Sequence, residues 1–198
     1  MRDLQSLQSS QLGLRAVLPK GAVSSSSGGS QPAGDWEYRR WRLQQGVAEG
    51  DSEVPTGEVI PLEYNIDGLN GISFTKGCYV GQELMARTHF KGVVRKRAMP
   101  FRLLQPGEAS ALQPGSEVFD RDASGRLRPV GKVRVLEGDL GLAMLRLGKA
   151  KPAIDAGRPL LAGAAGAEVP LVELEVWRPA WWPQSWGREE QQTGGSDD

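Results

Sequence analysis

The chain has 198 residues, in which 24 Lys and Arg balance 24 Asp and Glu, and 39% of the residues are hydrophobic. This length predicts one domain or two small ones, and the balanced charge gives no information about a polyanionic partner. The single cysteine excludes an internal disulfide, and no run approaches the roughly 18 apolar residues needed to span a membrane. The 26 glycines and 13 prolines favour short strands, loops and some disordered sequence.

The first third of the chain combines low-complexity sequence with short helical patterns. Residues 1–30 are rich in serine and basic residues and hold one acid, which is typical of an organelle transit peptide; the alternative is a surface helix followed by a flexible loop. The Ser/Gly-rich segment 21–34 predicts a flexible insertion. Asp35 is a suitable N-cap for a short helix that ends at Gly46.

Two further helices are predicted before residue 92. Leu62, Ile66 and Leu69 are spaced to share one helical face, and Pro61 is suited to the first turn of that helix. The second helix spans residues 80–89 and follows a glycine-rich loop. These elements indicate a mixed α/β segment up to about residue 91.

The pattern then changes to short apolar segments separated by turns. Strands are predicted at 93–104, 116–121, 129–136, 140–147 and 168–177. Apolar and acidic residues alternate over 172–176, as they do in a half-buried strand. Five or six such strands predict a small antiparallel β-barrel over 92–184, so the fold class is α+β. The polar, acidic residues 185–198 predict a disordered tail.

The only cysteine lies in the segment 74–83, with the sequence FTKGCYVGQE. Gly77 and Gly81 allow the backbone to turn sharply and leave its N–H groups free. Cys78 is placed just before, or in, the first turn of the next helix, where the helix dipole and Lys76 favour the thiolate. The alternative is a buried cysteine that acts as a small hydrophobic residue.

The residue types in this chain limit the chemistry that Cys78 could perform. A cysteine protease needs a base, and the only histidine, His89, lies about eleven residues further on, at a poor position for that role. Zinc sites and iron–sulfur clusters take several Cys or His ligands. One cysteine could therefore ligate a cluster only by sharing it with a second protein.

Between Lys76 and Arg97, six basic residues face a single acid, Glu83. This excess could attract an anionic ligand, such as a polyglutamylated cofactor, or an acidic partner. It could equally be a solvated strand edge whose charges block aggregation. Nucleic acid is not favoured as a partner, because aromatic residues are not interleaved with these charges.

Several segments resemble the folate-binding YgfZ-type family, and most closely its mitochondrial iron–sulfur cluster assembly factors. They are LEYN at 62–65, NGISFTKGCYVGQEL at 70–84, ARTH at 86–89, GVVRKR at 92–97, GKV at 131–133, GLAMLR at 141–146 and WWP at 181–183. The resemblance spans roughly residues 35–184. It implies a fold similar to the glycine-cleavage T-protein, with residues 1–91 as the C-terminal portion of a ferredoxin-like middle domain and 92–184 as the C-terminal barrel.

The resemblance also implies a function and a set of partners. Proteins of this kind act late in the maturation of [4Fe–4S] proteins in the mitochondrial matrix. They work with A-type iron–sulfur scaffold proteins on client [4Fe–4S] enzymes, and they are linked to tetrahydrofolate. Members of the family begin well over a hundred residues earlier, so we expect an N-terminally truncated chain that lacks most of the folate-binding domain and any true transit peptide.

The family motif maps onto named residues of this chain. Cys78 is the functional residue, as a catalytic thiol or as a ligand to a shared cluster, and Glu63 falls where related enzymes contact the pterin of folate. The remaining motif positions are Lys76, Gly77, Tyr79, Gly81, Gln82, Glu83 and Arg87. Two alternatives stay open: a folate-dependent aminomethyl transferase, and a barrel-type interaction module without chemistry.

Overall fold

The computed structural model describes residues 34–57, 59–163 and 171–186. Its α-helices are α1 (Asp35–Gln44), α2 (Gln82–Lys91) and α3 (Leu147–Asp155), and 3-10 helices span Pro61–Tyr64 and Pro106–Ala111. Its strands are β1 (Lys96–Leu103), β2 (Glu117–Arg121), β3 (Leu127–Glu137), β4 (Leu140–Arg146), β5 (Leu160–Gly163) and β6 (Val172–Val176). The transit-like segment and the predicted insertion up to residue 33 lie outside the described residues. Among the helices described, none is long and apolar enough to cross a membrane.

The six strands form one closed antiparallel barrel in the order β1-β4-β3-β2-β5-β6, and β6 pairs with β1 to complete it. The longest pairing joins β1 to β4, from Lys96 opposite Arg146 to Arg102 opposite Leu140. Closure leaves no open sheet edge along the barrel. The prediction of an α+β chain with a small antiparallel barrel is therefore confirmed.

Strands β1 and β4 are buried on both faces, because the segment before the barrel covers their outer side. Met99 and Phe101 point into the barrel core, whereas Ala98 packs outward against Leu43 of α1 and Tyr64 of the 3-10 helix. This two-sided burial explains why the sequence of β4 is continuously apolar and does not alternate between apolar and polar residues. The segment 34–70 thus packs on the outside of the barrel and buries the outer faces of β1 and β4.

Several ion pairs hold α1 in place, and the two shortest involve Arg40 and Arg42. Arg40 joins the β3–β4 turn through Asp139, with 2.6 Å between Nη2 and Oδ1. Arg42 pairs with Glu53, which is 2% exposed, at 2.6 Å between Nη2 and Oε1. Burial alone would raise the pKa of Glu53, but hydrogen bonds from Arg42 and from the backbone N–H of Glu49 lower it below its ordinary value.

Several elements differ from the prediction. The predicted helix from Pro61 is only a short 3-10 helix, because Asn65 and Asn70 adopt left-handed backbone angles, with φ of 64° and 57°. The described residues 34–57 and 59–95 contain no strand, so the expected partial ferredoxin-like segment has no sheet there. Helix α3 and strand β5 were not predicted. Trp186, assigned to a disordered tail, is buried; residues 187–198 lie outside the described part.

Candidate functional site

Cys78 carries a free thiol that is exposed to solvent. It lies in an irregular loop and precedes Gln82, the first residue of α2, so it is outside the first turn of that helix. Gly81 stands between them as the N-cap, with a left-handed φ of 84°. Cys78 therefore lies just before the helix, which is one of the two positions that the sequence allows.

Short local contacts hold the backbone of the cysteine loop. The backbone N–H of Tyr79 donates to Oε1 of Gln82 at 3.1 Å, which ties the residue after the cysteine to the start of the helix. Nζ of Lys76 lies 5.2 Å from the centre of the Tyr79 ring, within the range of a cation–π contact. Lys76 therefore lies two residues from Cys78 in sequence, and the thiol itself is exposed to solvent.

A small apolar cluster anchors the loop to the rest of the fold. Met85 of α2 packs with Leu62 of the 3-10 helix and Val94 just before β1, and Phe74 packs against this cluster. The Phe74 ring also stacks on His89, with 3.9 Å between the ring centres. His89 is thus held by an aromatic stack, in keeping with the sequence argument against a cysteine–histidine pair.

Several apolar side chains of the cysteine loop and of α2 face solvent. Val80 is fully exposed, Leu84 is 56% exposed and Phe90 is 67% exposed. Isolated exposed apolar residues are ordinary, but Val80 lies two positions from the thiol and Leu84 lies in the first turn of the adjoining helix. The surface around Cys78 therefore offers apolar contacts as well as a sulfur ligand.

Arg87 and Glu63, two charged residues of the predicted site, each have a neighbour of opposite charge. Arg87 forms an i,i+4 pair with Glu83 at 2.5 Å, and both side chains are exposed. The charge of Arg87 is consequently offset on its own helix. Glu63 lies on the 3-10 helix, with its Oε1 3.7 Å from Nζ of Lys96 and 20% of its side chain exposed. The structure places Glu63 beside β1 and places Cys78 in the separate loop before α2.

Sequence reasoning missed a buried polar cluster beneath this region. Arg97 of β1 donates from Nη1 and Nη2 to the two carboxylate oxygens of Asp67 at 3.0 and 3.2 Å, and from Nη1 to the carbonyl of Leu62 at 2.8 Å. Its guanidinium carbon lies 3.3 Å from the ring centre of Trp186. The sequence signal is an arginine at the start of an apolar strand, where it is one of the six basic residues between Lys76 and Arg97.

Within the described ranges, no group of three or more His, Cys, Asp or Glu side chains is placed to hold a metal ion. Cys78 is the only cysteine of the chain. A cluster or iron bound at this thiol would need further ligands from another molecule. The arrangement can thus present one soft ligand to a partner.

The fold and the site define a small antiparallel barrel with an exposed single-cysteine loop beside it. Residues 95–184 match the CAF17 C-terminal beta-barrel domain. The chain is 45% identical over 148 residues to the mitochondrial iron-sulfur cluster assembly factor IBA57 of Homo sapiens and 42% identical over 147 residues to that of Mus musculus. It is 40% identical over 121 residues to the IBA57 homologue of Yarrowia lipolytica.

These alignments cover 75%, 74% and 60% of this chain and 38%, 38% and 24% of the human, mouse and yeast relatives. The chain therefore spans well under half the length of these relatives. The resemblance to mitochondrial iron–sulfur cluster assembly factors, made from the motif segments, is confirmed. Among these relatives, the names support the assembly interpretation and not the aminomethyl transferase alternative.

Proposed function

We propose that this chain acts in the assembly of iron–sulfur clusters for mitochondrial [4Fe–4S] proteins, in the mitochondrial matrix. In this proposal Cys78 supplies one thiolate to an iron or a cluster whose other ligands come from an A-type scaffold protein. The observation that carries the proposal is an exposed thiol that is the only cysteine of the chain. The similarity to proteins named as iron-sulfur cluster assembly factors supports it.

The cluster is the cargo in this scheme, and the chemistry is a ligand exchange. The thiolate of Cys78 binds one iron, one scaffold thiolate leaves that iron, and the leaving thiolate can take up a proton from water. No electron is transferred in this step. The Cys78 thiol is exposed to solvent, so a scaffold can reach it for this exchange.

The other loop residues shape and present the ligand. Gly81 adopts a left-handed φ of 84° where the loop enters α2, and the space around Gly77 is open. Val80 and Leu84 supply exposed apolar surface, which suits contact with a protein partner better than contact with a small ligand. A client [4Fe–4S] enzyme would receive the cluster from the complex of this chain and the scaffold.

We also propose that Glu63 contacts tetrahydrofolate, as the family resemblance implies. Its side chain is 20% exposed and its Oε1 lies 3.7 Å from Nζ of Lys96, so the residue is partly accessible to a ligand. A calorimetric titration of the 198-residue chain with tetrahydrofolate, compared with Glu63→Gln, tests this assignment separately from the cysteine. Binding that is unchanged in Glu63→Gln would contradict it.

A reconstituted maturation assay tests the main proposal. Apo-aconitase is incubated with a cluster-loaded A-type scaffold and either the wild-type chain or Cys78→Ser, and aconitase activity is followed over time. We expect the variant to lose most of the stimulation that the wild-type chain gives. Ser73→Ala, an exposed change in the same loop, is the matched control and should retain it. Equal stimulation by Cys78→Ser would refute the ligand role.

A further inference from the structure

A cavity on the outer face of the barrel is lined mainly by cations. Its charged lining consists of Lys96 of β1, Lys132 and Arg134 of β3, Arg146 of β4 and a single carboxylate, Glu117 of β2. Met144, Pro129 and Gly131 complete the wall, and the volume is about 200 Å³. This basic cavity lies apart from the cysteine loop, since no residue of the loop lines it.

The strand register explains why the cations converge there. Lys96 is paired with Arg146 across β1 and β4, and Lys132 is paired with Met144 across β3 and β4. Side chains two residues apart on a strand share a face, so Arg146 and Met144 point the same way. Neighbouring strands are about 4.8 Å apart, so three adjacent strands place positive groups over roughly 10 Å.

Most of these charges have no partner within the part of the chain that the structure describes. Among the described residues, no carboxylate lies within 4.0 Å of a charged nitrogen of Lys132, Arg134 or Arg146, and no hydrogen bond from these side chains is formed. Lys96 alone has a contact of this kind, with Glu63 at 3.7 Å. Nε of Arg134 is shielded from solvent and lacks a hydrogen-bond acceptor in the described part of the chain. A buried guanidinium nitrogen without an acceptor is costly, and an anion bound in the cavity would offer one.

A second cavity extends this charge. It has a volume of about 380 Å³, and Lys96 and Arg146 belong to both cavities. Arg95, Gly148 and Lys149 complete its lining, so two further cations and no carboxylate are added. The two cavities therefore form a positive surface that is longer than a single phosphate or carboxylate group.

We infer that the basic cavity binds a small anion with two or more linked phosphate groups. Phosphate groups match this surface because arginine binds them through paired N–H donors, and lysine binds them as a point charge. An oligophosphate also carries several charges within the roughly 10 Å over which the cations are spread. This inference does not depend on Cys78 or on the proposed cluster chemistry.

Isothermal titration calorimetry of the full chain with inorganic tripolyphosphate, in a phosphate-free buffer at low salt, tests the inference. We expect saturable binding that weakens as salt is added. Arg134→Gln and Lys132→Ala should each weaken it about tenfold, because each removes a charge-assisted contact to phosphate. Arg126→Gln removes an exposed cation at the β2–β3 turn, outside the cavity, and should leave the affinity unchanged.

A gain-of-affinity variant separates loss of binding from loss of folding. Glu117→Gln removes the one carboxylate from the cavity, and we expect it to tighten tripolyphosphate binding severalfold. Circular dichroism melting curves verify that each variant is folded. The inference would be overturned if Arg134→Gln or Lys132→Ala bound tripolyphosphate as tightly as Arg126→Gln does. It would also be overturned if Glu117→Gln bound tripolyphosphate no more tightly than the wild type.

Three further ligands identify the chemistry. ATP contains the same triphosphate group. Equal affinities for ATP and tripolyphosphate would support recognition of the phosphates themselves, whereas a higher affinity for ATP would indicate an additional contact with the nucleoside. Orthophosphate should bind much more weakly than tripolyphosphate, because it carries one group. Citrate is a small polycarboxylate, and binding of citrate as tightly as tripolyphosphate would contradict the phosphate assignment.

Discussion

Arg97 and Asp67 form a two-point ion pair in the interior, with 3.0 Å between Nη1 and Oδ1 and side chains only 2% and 5% exposed. The pair links the first strand of the barrel to the turn that follows the 3-10 helix. Trp186 covers the guanidinium, and Gly68 leaves the room that the Trp186 ring needs, since a Cβ there would approach Cζ2 and Cη2 of the ring to 2.9 and 2.4 Å. The pair thus joins three separate parts of the chain.

Asp67→Asn should therefore destabilise the protein strongly. Removing one partner of a buried ion pair leaves an uncompensated charge, which costs about 3–5 kcal/mol. Urea denaturation followed by tryptophan fluorescence measures the change in the free energy of unfolding. Arg128→Gln breaks a surface ion pair with Asp122 and is the control, with a much smaller expected loss, because water screens such pairs. Similar losses in the two variants would contradict this structural role.

Glu53 should make stability depend on pH in the acid range. Its pKa in the folded state lies below the ordinary value of 4.5, so the ionised carboxylate stabilises the fold fully above about pH 4.5. That contribution is lost as the pH falls below 4.5 through the folded-state pKa. Glu53→Gln should be less stable at pH 7 and should show a shallower decline between pH 5 and pH 3. Parallel curves for the two proteins would exclude this origin of the dependence.

Gly81 and Gly77 provide a matched pair of substitutions around the thiol. Gly81 has a left-handed φ of 84°, so an added Cβ strains the backbone by about 1–2 kcal/mol although space is open. Gly77 also has open space and no such backbone angle, so Gly77→Ala should be tolerated. Differential scanning calorimetry should find Gly81→Ala the less stable of the two. Equal melting temperatures would show that the loop relaxes to accept either side chain.

Val80 and Leu84 should matter for partner binding and not for folding. Replacing both by serine removes exposed apolar contacts, so the melting temperature should hardly change. Affinity for a cluster-loaded A-type scaffold, measured by surface plasmon resonance, should fall about tenfold or more if these side chains are central contacts. Leu104→Ser, a change at another exposed leucine, should bind normally. Full affinity of the double variant would place the interface elsewhere.

The barrel could be predicted because its strands follow simple patterns. Residues 172–176 alternate between apolar and acidic side chains, and turn residues separate the earlier strands. Strand β5 has no such alternation, since all four of its residues are buried, and α3 contains Pro152, a residue typical of helix ends. These two elements depend on tertiary packing that local sequence does not encode.

Some features of the candidate site could likewise be predicted from the sequence, and others could not. The cysteine loop could be predicted because glycine, lysine and cysteine are adjacent in sequence, and the Glu83–Arg87 pair because it follows helical spacing. The Arg97–Asp67 pair could not, because its partners are 30 positions apart and meet only when the barrel forms. The basic cavity was hidden for the same reason, since its cations come from three strands that become neighbours on folding.

The central claim is that Cys78 ligates a cluster shared with a scaffold. Mössbauer spectroscopy of the complex, prepared with ⁵⁷Fe-loaded A-type scaffold and the 198-residue chain, tests it most directly. We expect the wild-type complex to show fully thiolate-ligated iron, and the Cys78→Ser complex to show one iron site with the larger isomer shift of oxygen ligation, or to lose the cluster. Identical spectra and identical cluster content for the two complexes would contradict the claim.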